Sequence, residues 1–388
     1  MDWIFWLPTL TGHIGIWCAI FNRTHATAWP RTWRKSIELA IVAVAGVPIL
    51  LVPILLWRAG DVSYVNFLQR QLLVAPYLVL SVVAAVFFLV TWVWRVSHYE
   101  PPRAWLKLDD EYLEAEKVLR MKLTHGALAK VLSWIPGNQA THLSLEKYRI
   151  RLPKLPPGVT IKICQLSDFH FTGQLDIAYF RLIIERVNDW RPDLVVITGD
   201  LVDELHCLDW LGPVFEPLQA RCGKFYLLGN HDRRIPSEDD LRSRLESAGL
   251  IRAGGRWHAV TVNGVTLHLA GNELPWFKGA ESLPNVETNP DDLRIMLTHS
   301  PDQIDWAEQY GFDIIFAGHT HGGQIRLPIV GPIVSPSKYG VKYAGGAFQI
   351  GKAVMHVSRG LCGDEPIRWN CPPEVGFFTI EGPAAENE

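Results

Sequence analysis

The chain has no cysteine pair at zinc-knuckle spacing, no internal repeat and no low-complexity segment. Its six cysteines, at positions 18, 164, 207, 222, 362 and 371 of 388 residues, are scattered. That argues against a disulfide framework and a structural zinc site, and it fits a reducing compartment. An excess of basic charge is missing too. Lys and Arg number 37 against 40 Asp and Glu, for a net charge of −3, whereas nucleic-acid binders show a basic balance. A cleavable signal peptide is not expected, because Asp2 stands where a basic n-region belongs.

Charge is itself absent from two long runs. Leu39 to Trp57 gives 19 uncharged residues and Gln71 to Trp94 gives 24. At 1.5 Å per residue these reach roughly 28 and 36 Å, against a hydrocarbon core of about 30 Å. The reading is two transmembrane helices, about 37–57 and 72–94, within a membrane region 1–95. Trp57, Trp92 and Trp94 end the runs, where aromatic belts form. Arg31, Arg34 and Lys35 precede the first run, and Arg95, Arg103 and Lys107 follow the second. Only Arg58 and Arg70 lie between. The positive-inside rule then places the remainder in the cytoplasm, as a multi-pass protein of the cell inner membrane. Trp3 to Phe21 is also apolar and is expected to be partly inserted. A connector over 96–140 reads as helical. Leu128, Val131, Leu132 and Ile135 give it an apolar stripe, packed on the following domain or laid on the membrane surface.

After residue 141 the pattern becomes alternating strands and helices. Helices are expected from Ile177, from the capping Ser237 to Gly249, and from Ser300-Pro301 to Gly311. Asn263-Gly264 marks a hairpin, and a second joins 347–350 to 353–357. Leu143 to Leu152 reads as an edge strand.

Five apolar runs in this region stop at polar groups. They end in Asp168-Phe169-His170, Gly199-Asp200, Gly229-Asn230-His231-Asp232, His299 and Gly318-His319-Thr320-His321. Ligands in α/β sheets gather outside the carboxyl ends of strands, so these groups are expected on one rim. Carboxylates, imidazoles and an amide, without thiolate, suit Mn²⁺, Fe or Zn²⁺. Two such ions about 3.5–4 Å apart clamp an in-line displacement at phosphorus. Asp200, between the first and third segments, is the natural bridge. Gly199, Gly229 and Gly318 each precede a ligand and permit unusual backbone geometry, and Gly322 and Gly323 permit close approach to substrate.

Together these segments resemble the five-motif set of the calcineurin-like metallophosphoesterases. The resemblance covers about residues 141–380, and residues 318–328 with Ser358-Arg359-Gly360-Leu361 further resemble the bacterial membrane-attached YkuE/YaeI-like phosphodiesterase branch. It implies an α/β fold, the four-layer α/β/β/α sandwich, for a catalytic domain 141–388. It also implies that Asp168, His170, Asp200 and His321 hold one divalent ion, Mn²⁺ above Fe or Zn²⁺. Asp200, Asn230, His299 and His319 hold the second. His231 is then catalytic, stabilising or protonating the leaving group, and Asp232 orients His231 or its loop.

Asn230, Arg233, Gly322 and Gly323 are expected near substrate. Arg359 and Arg368 read first as structural pairs. The second motif lacks the arginine of the protein phosphatases, which disfavours phosphoprotein. The expectation is a membrane-anchored, dinuclear metal-dependent phosphohydrolase, a phosphodiesterase or pyrophosphatase for a lipid-linked phosphoester (UDP-diacylglucosamine-like or phospholipid) or a small phosphoester, with a membrane as partner, no nucleic acid, and no protein partner inferred. The competing reading is a metal-binding scaffold or sensor of the same fold without turnover.

Overall fold

The computed structural model describes residues 3–59, 75–277, 289 and 292–383. They form two compact units, Met1–Glu100 and Pro101–Glu388.

The first unit contains helices Trp3–His25, Arg31–Ala59 and Ala75–Ser97. Among the described residues, Ala75–Ser97 is the helix long and apolar enough to cross a membrane. Val83, Phe87, Val90 and Trp94 on it are each more than half exposed. The start of the second expected span, 72–74, lies outside the described residues. Trp3–Phe21 falls within a helix packed on Ala75–Ser97. A Cβ added at Gly12 would sit 1.6 Å from the Ser81 carbonyl oxygen, so the two backbones approach as only a small residue allows. Polar groups inside this contact are satisfied. His13 Nδ1 lies 2.6 Å from Tyr77 Oη, and Trp17 Nε1 donates to that hydroxyl at 2.9 Å.

In the second unit two sheets pack face to face. The first runs β1 (Trp105–Glu114), β2 (His142–Arg151), β15 (Glu374–Glu381), β3 (Thr160–Leu166), β4 (Leu194–Thr198), β5 (Lys224–Leu227), β6 (Ile251–Arg252). The second runs β13 (Gly346–Ile350), β14 (Ala353–Val357), β10 (Ile314–Ala317), β9 (Leu293–Thr298), β8 (Val265–Asn272), β7 (Trp257–Val262). A small ribbon pairs β11 (Arg326–Leu327) with β12 (Gly331–Pro332).

Side chains alternate between two apolar layers. Ile163, Val196, Ile295 and Phe316 enter the core between the sheets. Their neighbours Cys164, Val195 and Ile197 face the helices of the first sheet, and Met296 and Ile315 face those of the second. Central strands buried on both faces must be apolar throughout, which is why these runs read as unbroken.

The helix Ile177–Trp190 starts on Asp176, whose carboxylate accepts from Ala178 N, and Ser237 caps Glu238–Ser247 through Asp240 N. Asn263 and Gly264 both have positive φ, 51° and 84°, as the expected two-residue hairpin turn requires.

The helical reading of the connector needs correction. Trp105–Glu114 is a strand, antiparallel to β2 from Trp105↔Ile150 to Glu114↔His142. Short helices follow at Ala115–Leu119 and Ala127–Ser133. Charged residues protect an edge strand from further pairing, and here they imitate a solvated helix. As a result β2 is an inner strand, not the edge. The stripe Leu128, Val131 and Ile135 is exposed, while Ala129 alone of that short helix is buried.

Candidate metal centre

Three of the loops bearing expected ligands leave β3, β4 and β5 of the first sheet and two leave β9 and β10 of the second. The rim is therefore shared by both sheets. Backbone bonds tie the loops together: Asp168 N donates to Gly199 O, His170 N to Asp200 O, and Gly318 N to His299 O. The buried Asp232 carboxylate binds them from below. It accepts from the backbone N of Asp200 (3.1 Å), Leu201 (2.9 Å), Val202 (3.0 Å) and Gly229 (2.8 Å). Asp232 thus orients the loop, not His231.

The backbone here is unusual. Asp168, His170, Asp200, His319 and His321 all have φ between 45° and 74°, five of the seven expected ligands. Non-glycine residues adopt this region at a cost and persist in it where surrounding structure dictates the geometry. The glycines serve two purposes. Gly199 has φ of 93°, whereas Gly229 keeps negative φ and is needed for space: a Cβ there would lie 2.2 Å from Asp200 Oδ1.

Distances bring the seven expected ligands into two groups sharing Asp200. In the first, His170 Nε2 is 3.1 Å from His321 Nε2 and 3.6 Å from Asp200 Oδ2, and His321 Nε2 is 3.3 Å from Asp168 Oδ1. In the second, His299 Nε2 is 3.1 Å from Asp200 Oδ2 and 3.0 Å from Asn230 Oδ1. The His319 ring centroid lies 4.9 Å from that of His299.

The donor set fits divalent cations. His319 Nε2 and Asp200 Oδ2 are buried without a hydrogen-bond partner, which is costly unless something else satisfies them. Burial, and then the neighbouring His299, push the His319 imidazole well below its usual pKa. It is neutral, as a metal ligand must be. Burial alone would raise the Asp168 carboxyl, but His321 and then His299 outweigh it and hold it down to about 2. Two imidazole nitrogens facing each other at 3.1 Å likewise call for a proton or a cation between them.

Behind the ligands lies a positioning layer. Asp203 meets His170 Nδ1 at 2.7 Å and His231 Nδ1 at 2.6 Å. Asp364 lies 3.2 Å from His231 Nδ1 and accepts two bonds from Arg234, at 2.8 and 3.0 Å, while Arg234 also pairs with Asp203. Sequence reading gave Asp203 and Asp364 no role. Their signal is weak because neither follows an apolar run directly. Asp203→Asn is expected to lower turnover about 10- to 100-fold with fold and metal content retained, the usual cost of losing a carboxylate that orients a metal-site histidine. Comparing kcat with metal stoichiometry in the purified variant checks this.

Other expected residues lie as follows. Arg233 is exposed. The side-chain space at Gly322 is taken by Cys371 and Arg359, and at Gly323 by Pro332, so packing within the chain already accounts for both glycines. Arg359, half-buried, and Arg368, buried, are both engaged within the chain. The first pairs with Glu146 and Glu374, and the second donates to the carbonyls of His321, Arg359 and Cys362. Trp276, unremarked in the sequence, packs its ring 4.8 Å from His319 and 5.4 Å from His299.

The family model for calcineurin-like phosphoesterases matches residues 161–323, the stretch that carries all seven expected ligands. An uncharacterized metallophosphoesterase of Aquifex aeolicus is 32% identical over 253 residues, covering 62% of this chain and 92% of that one. The chain belongs to the calcineurin-like phosphoesterase family. Among its relatives in this family are the phosphodiesterase YaeI of Escherichia coli, 28% identical over 56% of this chain and 82% of YaeI. Another is the UDP-2,3-diacylglucosamine pyrophosphatase LpxG of Chlamydia muridarum, 25% identical over 66% of this chain and 95% of LpxG. As a metallophosphoesterase, the protein is an enzyme whose fold implies divalent metal ions.

Proposed function

We propose that this metallophosphoesterase is a membrane-anchored phosphodiesterase or pyrophosphatase holding two metal ions, Mn²⁺ before Fe or Zn²⁺, and acting on a lipid-linked phosphoester. The observation that carries the dinuclear reading is Asp200, whose Oδ2 lies 3.6 Å from His170 Nε2 and 3.1 Å from His299 Nε2 and so belongs to both ligand groups. Asp168, His170 and His321 complete one ligand set with it, and Asn230, His299 and His319 the other. Bound there, the ions polarise phosphoryl oxygens and lower the pKa of water to near neutrality. His231, its Nδ1 engaged by Asp203, keeps Nε2 for proton delivery to the leaving oxygen. Asp203 and Asp364 hold that ring in place.

Anchoring is supported by the exposed apolar face of Ala75–Ser97, and a cytoplasmic catalytic unit by the excess of Lys and Arg on the outer flanks of the two uncharged runs over the loop between them. A reporter fused after Glu388 should be active in the cytoplasm; export of the reporter would reverse the topology. The lipid-linked substrate is supported by the relative named for a diacylglucosamine pyrophosphatase, since an anchored site meets phosphoesters at the bilayer surface.

The expected result is that the detergent-solubilised full chain with Mn²⁺ hydrolyses bis-p-nitrophenyl phosphate, loses this on chelation, and regains it with Mn²⁺. Among lipid pyrophosphates and phosphodiesters it should turn over at least one faster. Normal metal loading without hydrolysis of any phosphoester would leave a binding scaffold instead.

A further inference from the structure

Beyond the metal rim, the second unit carries an apolar and basic surface for which the hydrolytic reading has no use. The sequence from Lys117 to Ile135 contains Lys117, Arg120, Lys122 and Lys130 and no acidic residue. Interleaved with them, Leu128, Val131 and Trp134 are exposed, Trp134 at 79%. The second contribution comes from the ribbon β11–β12. Residues 325–334 include no acidic side chain, and their tip, Ile329, is 89% exposed.

These two pieces are joined through Trp369. Its backbone accepts from Arg326 N and donates to Gln324 O, while its indole stands 2.9 Å from where a Cβ of Gly137 would sit. Asn138 adds bonds to Pro366 O and Arg368 N. The two pieces are therefore tied together around Trp369, itself 42% exposed, and the ribbon follows directly in sequence on the loop that bears His319 and His321.

We infer that this face, with Trp134, Leu128, Val131, Trp369 and Ile329, docks on the surface of an anionic bilayer and holds the metal rim against the headgroups. Large apolar side chains interleaved with Lys and Arg and bordered by tryptophan are what an interface between acyl chains and anionic headgroups selects. Lys117 and Lys122 pair with Glu114 and Glu116 in the free unit, but such exposed pairs contribute little and exchange readily for lipid phosphate. A protein partner would ordinarily deplete lysine at its contact, whereas here lysine flanks the apolar residues. The inference rests on the membrane-bound reading of the chain, and its test is independent of turnover.

The full chain is reconstituted in nanodiscs of phosphatidylcholine with or without phosphatidylglycerol, carrying a spin label at Ile329→Cys or Trp134→Cys. A control label sits at Asp209→Cys, whose native side chain is 88% exposed. The labels at 329 and 134 should gain oxygen contact and lose contact with a water-soluble nickel complex severalfold when phosphatidylglycerol is present, with position 209 unchanged. In parallel, Ile329→Asp should lower kcat/KM on a lipid-borne ester roughly tenfold, as expected from burying one large apolar side chain, and leave bis-p-nitrophenyl phosphate turnover unchanged.

Labels that stay water-accessible in a chain co-eluting with the disc overturn the docking alone. Burial of the labels only as protein concentration rises in detergent overturns it in favour of a second copy. A chain that elutes free of lipid overturns anchoring and docking together. Docked labels without hydrolysis of any phosphoester would instead sink the substrate reading and leave the docking standing.

Discussion

Asp200→Asn should abolish hydrolysis. One carboxylate oxygen belongs to both ligand groups, within 3.6 Å of His170 and 3.1 Å of His299, and Oδ1 accepts from His231 N at 2.7 Å. The amide keeps the size and the backbone bond but carries no charge, so the proposed two-ion centre would lose the anionic ligand common to its two groups. Loss of a single transition-state donor elsewhere costs about 10²–10³-fold, and loss of the carboxylate that would serve both ions should cost at least that. Turnover of bis-p-nitrophenyl phosphate at saturating Mn²⁺, with thermal unfolding as a control for the fold, measures it. Because His170 and His299 lose their anionic neighbour as well, the variant should also bind fewer ions per chain.

The second large effect is on stability. Arg359 pairs with both Glu146 and Glu374, which are 2% and 1% exposed. Tyr148 donates to Glu146 and His356 lies 3.0 Å from Glu374. Removing the guanidinium in Arg359→Ala leaves two buried carboxylates short of positive charge, a change that costs about 3–5 kcal/mol and lowers Tm by roughly 10 °C in a unit of this size.

The pH dependence follows from the direction of the shifts. Burial and the adjacent Glu374 would raise the Glu146 carboxyl, but Arg359 outweighs them and holds it below its ordinary value. Burial opposes the charged Glu374 as well, and Arg359 and then His356 depress it. A depressed carboxylate stabilises the fold above its unfolded pKa of about 4.3, and that contribution is lost as pH falls through the folded value. In the variant both carboxylates titrate higher. The Tm gap between wild type and variant should therefore be widest at neutral pH and narrow toward about pH 4. Scanning calorimetry across that range reads it directly.

Much of the site was legible because its strands are buried on both faces. An unbroken apolar run ending in Asp, Asn or His stands out whatever sheet it joins. Which sheet it joins is not written locally, and the structure splits the five between two sheets. The edge strand β1 was missed because Lys107, Asp109 and Glu111 on an exposed edge look like a solvated helix; pairing with β2 decides the matter. Asp203 and Asp364 escaped notice for a different reason. They act through His231 and Arg234, and a positioning carboxylate acquires meaning only once its partner is beside it. The stripe at Leu128 and Val131 was legible as amphipathic, but periodicity cannot say whether protein or lipid covers an apolar face. The structure leaves it exposed.

The most direct test of the central claim is metal stoichiometry in the active full chain, read by elemental analysis together with low-temperature EPR of the Mn²⁺-loaded protein. Two exchange-coupled Mn²⁺ ions per chain, with the coupling lost in Asp200→Asn, is the predicted result. Full hydrolytic activity with a single uncoupled ion, or with none, would contradict it.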